Sequence, residues 1–272
     1  MLYTARDNKK YKKRVSRRAI WAWAAIFVFL GFWAGAVYLL RLPAWQIKKV
    51  EINGLVIIDF GEIKSKIDSF ISGRKFFLLP LSSYPLFNSN NLALLLKENF
   101  PRLEQVWVKK IFPDSLEITV KERELFGVFC SPSQISEDEI WEGKCAYIDK
   151  AGFAYESAPV SSGSLLLKLK SDAAEPQIGT IVLDHGLMND LILLSAGLEK
   201  VAGIRPIAYE FLSKISSEIK VETNDGFKII FKRGGDFNKS LQALKTVLEQ
   251  EVKGKRSQLE YIDLRLGNKV FY

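Results

Sequence analysis

The chain has 272 residues, of which 48% are hydrophobic and 26% are charged, and its formal net charge is +8. Residues 1–18 hold eight Lys or Arg and one Asp, so they carry +7 of this charge and leave +1 for the rest. A nearly neutral body argues against a nucleic-acid-binding domain. One His and two Cys offer few ligands for a catalytic metal.

The segment after this basic tail has no charged side chain from Ala19 to Leu40. A helix of these 22 residues is about 33 Å long, enough to cross a hydrocarbon core of about 30 Å. Aromatic residues typical of an interfacial belt lie towards both ends: Trp21, Trp23, Trp33 and Tyr38. The sequence therefore predicts a transmembrane helix over residues 19–41.

The basic tail, residues 1–18, sets the expected orientation of that helix. Basic flanks stay in the cytoplasm and are attracted to anionic headgroups, so the chain after Arg41 is predicted to lie outside. A cleaved signal peptide is the alternative, because Ala34-Gly35-Ala36 resembles a signal peptidase site. The apolar run continues past this site and exceeds the usual length of about 7–15 residues, which favours an uncleaved anchor.

The first outer segment has the pattern of a small α/β module. Residues 47–55 alternate apolar and polar side chains and end at Asn53-Gly54, which predicts a strand and a turn. Asp59 and Glu62 match a capping box, and Gly73 ends the helix behind them. One apolar stripe is predicted along that helix, formed by Ile63, Ile67, Phe70 and Ile71.

A second helix and a hairpin complete this module. The helix is predicted over 89–99, opened by Ser89 or Asn90, with Leu92, Leu95 and Leu96 facing inward. Two alternating runs, 105–111 and 116–122, are joined by a turn that contains Pro113. The predicted order of elements is β-α-α-β-β.

The second outer segment, residues 125–272, is predicted to be rich in strands. An Asn224-Asp225-Gly226 turn joins two of them, and helices are expected near 187–201 and after Asp236. The strand-like runs are 125–130, 144–156, 165–170, 217–223 and 227–233. A last run, 268–272, either completes a sheet or offers an edge for another strand, since only Lys269 guards it with a charge.

Cys130 and Cys145 flank a polar loop between two predicted strands. Outside the cytoplasm a disulfide can persist, and a bridge across a loop of this size would contribute about 3 kcal/mol. Two free thiols are the alternative, and a metal site is a remote third. No Cys-x-x-Cys pair is present for redox work.

The sequence contains no pattern that indicates catalysis or a cofactor. His185 is the single histidine, so a turn or capping role is expected rather than a metal site or a general base. The acidic run Glu137-Asp138-Glu139 is typical of a solvated loop, and Gly234-Gly235 of a turn before a helix. We therefore expect neither an enzyme nor a cofactor-binding protein.

Several of these motifs together resemble the FtsQ/DivIB family of bacterial cell-division proteins. The basic tail and single membrane helix precede Val50-x-Ile52-x-Gly54, and residues 106–123 read VWVKKIFPDSLEITVKER. The far end, QLEYIDLRLGNKVFY over 258–272, is similar to the close of the family's β domain. The resemblance implies an α+β protein with a POTRA domain over 47–124 and a mixed, mostly antiparallel β domain with flanking helices over 125–272.

The resemblance also implies a function. Such a protein would be a divisome scaffold at the septum that receives a strand from an FtsB/FtsL-like partner and contacts FtsK-, FtsW- and FtsI-like proteins. The residues implied to lie at this edge are Tyr261, Ile262, Asp263, Leu264, Arg265, Leu266, Asn268, Lys269, Val270, Phe271 and Tyr272. The alternatives are a POTRA-containing polypeptide-transport or chaperone protein and a membrane-anchored enzyme with an unfamiliar site.

Overall fold

The computed structural model describes residues 17–75, 79–131, 143–159, 165–171, 174–211, 217–252, 256–266 and 270–271. Most of the basic tail and the acidic loop around Asp138 lie outside the described residues. Three residues implied at the edge lie outside them as well, namely Asn268, Lys269 and Tyr272.

The N-terminal apolar segment forms one long helix, α1 (Arg17–Leu40), as predicted. Its stretch Trp21–Leu40 has 20 residues, none of them buried within the protein, and is long and apolar enough to cross a membrane. At 1.5 Å per residue this stretch measures about 30 Å. No other helix in the described part of the chain meets the same criteria.

The chain divides into two compact units. The first comprises the described residues within 1–53, 60–92 and 108–118, and the second comprises those within 54–59, 93–107 and 119–272. The domain bounds 47–124 and 125–272 remain a prediction.

The predicted β-α-α-β-β order is present between residues 49 and 122. The elements are β1 (Lys49–Asn53), α2 (Phe60–Ser72), β2 (Arg74–Lys75), β3 (Leu79–Pro80), α3 (Ser89–Asn99), β4 (Leu103–Ile111) and β5 (Ser115–Glu122). Strands β1, β5 and β4 form a three-stranded sheet in that order, and β2 pairs with β3. The β2–β3 pair was not predicted, because strands of two residues show no periodicity.

Both helices bury narrower faces than their apolar stripes predict. On α2, Ile63 and Ile67 are fully buried, whereas Phe70 and Ile71 are half-buried.

On α3 the helix limits are as predicted, but the cap lies one residue earlier than expected. The Asn88 side chain accepts hydrogen bonds from the backbone N–H groups of residues 90 and 91, at 2.9 and 3.3 Å.

A nine-stranded sheet lies entirely in the second unit. Its strands are β6 (Gly127–Cys130), β7 (Cys145–Ile148), β8 (Phe153–Ala158), β9 (Lys168–Ser171), β10 (Thr180–Ile181), β11 (Pro206–Phe211), β12 (Glu218–Thr223), β13 (Lys228–Lys232) and β14 (Tyr261–Asp263). The spatial order is β10-β8-β7-β6-β9-β11-β12-β13-β14. The β6–β9, β9–β11 and β13–β14 pairs are parallel and the others are antiparallel. The predicted mixed, mostly antiparallel sheet is confirmed.

Two strand predictions in this unit were incomplete. Residues 144–156 form a hairpin rather than one strand, since the Asp149 carboxylate accepts hydrogen bonds from the N–H groups of Ala151 and Phe153 and closes a turn. Strand β11, in the middle of the sheet, was missed. It begins at Pro206, and its buried side chains at Ala208, Tyr209 and Phe211 do not alternate, so the usual strand signal is weak.

Two helices cover one face of this sheet. They are α4 (His185–Ala202) and α5 (Phe237–Val247), and a π-helical turn, Leu248–Val252, continues α5. Asp184 and Asp236 cap their N-termini by accepting hydrogen bonds from Leu187 and Lys239. Apolar side chains of both helices share one core with the sheet: Leu187, Leu191, Leu194, Leu198, Leu241, Leu244, Phe129, Tyr209, Phe227 and Phe231. The helices and the sheet pack together through this core, which holds the sheet and its last strand, β14, in place.

Candidate partner-binding edge

Strand β14 is the last strand of the nine-stranded sheet. It pairs in parallel with β13, so that Tyr261, Ile262 and Asp263 lie opposite Lys228, Ile229 and Ile230. The Leu264 N–H donates to the Ile230 carbonyl at 2.9 Å, and the Lys228 N–H donates to the Glu260 carbonyl at 3.0 Å. Because main-chain groups alternate sides along a strand, those of Tyr261 and Asp263 point away from β13.

The C-terminal segment adds one further bridge on that outer side. The Asp263 N–H donates to the Phe271 carbonyl at 2.9 Å, and the Phe271 N–H donates back to the Asp263 carbonyl at 3.4 Å. The main chain of Asp263 is therefore bonded within the protein. The main-chain groups of Tyr261, two residues before Asp263 on β14, point to the same outer side.

The side chains at this edge divide into buried and exposed ones. Ile262 and Leu264 lie in the hydrophobic core, so a partner would meet their main chain rather than their side chains. Tyr261 and Phe271 are 44% and 49% exposed, and Leu266 is exposed as well. Val270 is partly buried against the core. The described residues of the predicted set thus lie at one edge, but few of their side chains are exposed.

An ion network fixes the polar side of the edge. The Arg265 guanidinium donates to the Asp263 carboxylate, with Nη2 2.6 Å from Oδ2, and to Glu218, with Nη1 2.6 Å from Oε2. The hydrogen bonds from Arg265 lower the pKa of Asp263 below its ordinary value and outweigh the opposing effect of partial burial. Arg265 thus links β14 to β12, two strands away in the sheet, since Glu218 belongs to β12.

Cys130 and Cys145 form a disulfide, one of the alternatives that the sequence leaves open. They lie directly opposite each other on the antiparallel strands β6 and β7. Cys145 belongs to a small cluster with Val128 and Ala158 that is separate from the main core. The nearer of its two strands, β6, lies five positions from β14 in the sheet order, so the bridge supports the sheet rather than the edge.

His185 is the first residue of α4, next to the capping Asp184, and does not itself provide the cap. It lines a cavity of about 310 Å³ together with residues that include Glu104, Lys121 and Asp149. Glu104 is 2.7 Å from the Lys121 ammonium, and Asp149 is 2.5 Å from the Arg123 guanidinium. Within the described residues, no three His, Cys, Asp or Glu side chains are placed to hold a metal ion.

The family model of the FtsQ-type POTRA domain matches residues 46–123. This chain contains an FtsQ-type POTRA domain. The match supports the identification of the chain as an FtsQ/DivIB family protein, a family of cell-division proteins. A search among curated proteins found no matching relative.

The glycine of the POTRA motif has a clear physical basis. Gly54 follows β1 with a φ of +91°, a conformation that side chains with a Cβ rarely adopt. A Cβ at this position would lie 2.1 Å from the Val120 carbonyl oxygen. Glycine is therefore required here by both the backbone angle and the close approach of β5.

A second feature of the POTRA domain was missed by sequence reasoning. The Glu122 carboxylate accepts hydrogen bonds from three successive N–H groups, those of Val56, Ile57 and Ile58, at 2.8–3.1 Å. Partial burial raises the pKa of Glu122, but these bonds and the nearby Arg102 together hold it below its ordinary value. No local signal could reveal this contact, because more than sixty residues separate the partners.

Proposed function

We propose that this protein is a single-pass scaffold of the bacterial cell-division complex, of the FtsQ/DivIB type, that acts at the septum. Its α1 helix anchors it in the cytoplasmic membrane, with the basic N-terminus inside and the remaining chain outside. It links early and late components of the complex through binding and carries out no reaction. The FtsQ-type POTRA domain supports the cell-division assignment.

The proposed mechanism is strand addition at the edge formed by β14 and Phe271. The observation that carries it is the orientation of the Tyr261 main chain, which points away from β13. An outward-facing edge of this kind accepts hydrogen bonds from an extended segment of another protein. The exposed rings of Tyr261 and Phe271 would then pack against side chains of that segment.

The proposed partner is the extracytoplasmic segment of an FtsB/FtsL-like protein, as the family resemblance implies. FtsK-, FtsW- and FtsI-like proteins are proposed as further members of the same assembly. The near-neutral charge of the chain outside its tail also fits protein partners better than nucleic acid.

Calorimetric titration tests this proposal directly. The full chain in detergent micelles is titrated with the outer segment of the FtsB/FtsL-like protein from the same organism. Saturable binding of one partner is expected, and Tyr261→Pro should abolish it because proline removes the outward N–H group. Tyr261→Ala keeps that N–H group and should weaken binding less.

Ile181→Ala provides the matched control. Ile181 is an exposed apolar residue of β10, at the opposite end of the strand order. Its substitution should leave binding unchanged. A loss of binding with Ile181→Ala as large as that with Tyr261→Ala would contradict the proposed edge, and binding of many unrelated extended peptides would favour a transport role instead.

A further inference from the structure

Three aromatic side chains form a cluster in the first unit, here called the aromatic tip. Trp45 and Tyr84 both contact Phe112 edge-on, with ring centroids 6.1 and 5.8 Å apart. Phe112 lies in the turn between β4 and β5 and is 66% exposed, and Trp45 is 39% exposed. An exposed apolar patch of this kind is typical of a surface that contacts another protein or a membrane.

The aromatic tip is held rigidly next to the end of α1. The Gln46 side chain donates to the Arg41 carbonyl at 3.1 Å, one residue beyond the helix. The Tyr84 N–H donates to the Trp45 carbonyl at 2.7 Å, and the Ile47 N–H donates to the Ser82 carbonyl at 2.9 Å. The segment that leaves α1 is therefore hydrogen-bonded into the module rather than free to act as a linker.

Hydrogen bonds also join the hairpin turn to this segment. The backbone N–H groups of Lys48 and Lys49 both donate to the Asp114 carbonyl, at 2.8 and 3.2 Å. The turn that carries Phe112 is thus fixed beside the chain that leaves the membrane helix. Because of these bonds, Phe112 is held in place relative to the end of α1.

The number of residues between α1 and Trp45 limits how far the tip lies from the bilayer. Trp45 follows Leu40 by five residues, and three of these, Pro43–Trp45, form a 3₁₀ turn. Such a path covers about 15 Å at most. The headgroup layer is about 5–8 Å thick on each side of the hydrocarbon core, so the indole ring can reach it.

The charges around the tip suit a phospholipid surface. The Lys110 ammonium lies 5.1 Å from the centre of the Tyr84 ring and donates to the carbonyls of Tyr84 and Phe87. Lys48 and Lys49 are exposed nearby along the chain, and Asp114 is the acidic residue of the turn. Aromatic rings flanked by lysines are the composition that interfacial anchors use with anionic lipids.

We propose that the aromatic tip inserts into the headgroup region of the outer leaflet and forms a second membrane contact beside α1. The continuity of the tip with the membrane helix identifies its occupant as phospholipid. The rings of Trp45 and Phe112 supply amphipathic surface that favours the interface. This inference rests on the membrane anchoring of α1 proposed above.

Fluorescence quenching in vesicles tests the inference. The full chain is reconstituted in vesicles of phosphatidylethanolamine and phosphatidylglycerol that contain a lipid with a nitroxide on its headgroup. Trp45→Phe removes a fluorophore that lies at the headgroups, so the quenched fraction of the remaining tryptophan fluorescence should fall. Trp107→Phe, in the body of β4, removes a fluorophore away from the tip, so the quenched fraction should rise.

A quenched fraction that does not fall in Trp45→Phe would overturn the inference. As a second variant, Phe112→Asp should reduce the quenching of Trp45, because a charge at the tip opposes insertion. Phe112→Ser replaces it if circular dichroism shows that the aspartate disturbs folding, and unchanged quenching in the folded variant would also overturn the inference. Flotation of the vesicles separates the two proposals, since a chain that fails to float refutes the anchoring by α1 itself.

Discussion

The edge at β14 and the aromatic tip offer two opposite kinds of binding surface. At the edge, the side chains of Ile262 and Leu264 are buried and the main chain of Tyr261 faces outward. At the tip, the main-chain N–H and carbonyl of Trp45 are both bonded internally, and the rings of Trp45 and Phe112 are exposed. An outward-facing main chain suits an extended protein segment, which can pair with it as a strand. Exposed aromatic rings suit a lipid interface, where contact depends on amphipathic surface rather than on strand pairing.

The largest expected effect separates two adjacent residues of the edge. Ile262→Ala should lower the free energy of unfolding by about 2–5 kcal/mol, because its side chain is fully buried in the core. Tyr261→Ala should change that free energy by only about 0.5 kcal/mol. Guanidinium unfolding followed by circular dichroism measures both. Similar losses in the two variants would contradict the alternation of buried and exposed side chains along β14.

The disulfide tests whether the edge depends on the far side of the sheet. Replacing both Cys130 and Cys145 by Ala should cost about 3 kcal/mol of stability, since the bridge spans 15 residues. Affinity for the FtsB/FtsL-like segment should stay the same, because β6 and β7 lie far from β14 in the strand order. Loss of binding by a folded double variant would show that the edge is not an independent surface.

Glu122 tests the role of a side chain that satisfies main-chain donors. Glu122→Ala should lower stability by about 1–2 kcal/mol, because three N–H groups lose their acceptor. Glu124→Ala is the matched control. Glu124 pairs with Lys150 at 3.4 Å on the surface, and its loss should cost about 0.5 kcal/mol or less.

The pH dependence gives a second readout for Glu122. Because its pKa is lower in the folded chain, its contribution is complete above the ordinary carboxyl pKa and is lost as pH falls through the folded pKa. The stability of Glu122→Ala should therefore fall less than that of the wild type on acidification. Parallel profiles of the two proteins would contradict the proposed role of these hydrogen bonds.

The smallest effect is expected at Arg265. Arg265→Ala removes one partner of Asp263 and of Glu218, but the guanidinium is partly exposed, so the stability loss should be about 1 kcal/mol or less. The pKa of Asp263 should rise towards its ordinary value, which NMR titration of the carboxyl group measures. An unchanged Asp263 pKa would contradict the assigned network.

Sequence patterns located most elements where they follow a strong local rule. The apolar run of α1, the limits of α3 and the hairpin formed by β4 and β5 needed only periodicity and turn chemistry. The family motif then implied the POTRA domain, which the comparison supports. Local signals failed where the deciding contact lies far away in sequence.

Three such distant contacts account for features that local sequence signals did not predict. Strand β11 is defined by its neighbours β9 and β12 rather than by its own pattern. The Phe271 bridge depends on the chain returning to Asp263, and the Trp45–Phe112 contact joins residues more than sixty positions apart. For the edge, the family resemblance implied a stretch of chain whose role stays a prediction, and the structure adds which of its described side chains the core buries, namely Ile262 and Leu264.

Hydrogen exchange of the backbone amides is the most direct test of strand addition. The full chain is measured with and without the outer segment of the FtsB/FtsL-like partner, and exchange is followed amide by amide across β13, β14 and the C-terminal segment. The account predicts that the Tyr261 amide, which faces away from β13, becomes protected on binding. Protection that appears elsewhere while the Tyr261 amide exchanges at its original rate would contradict it.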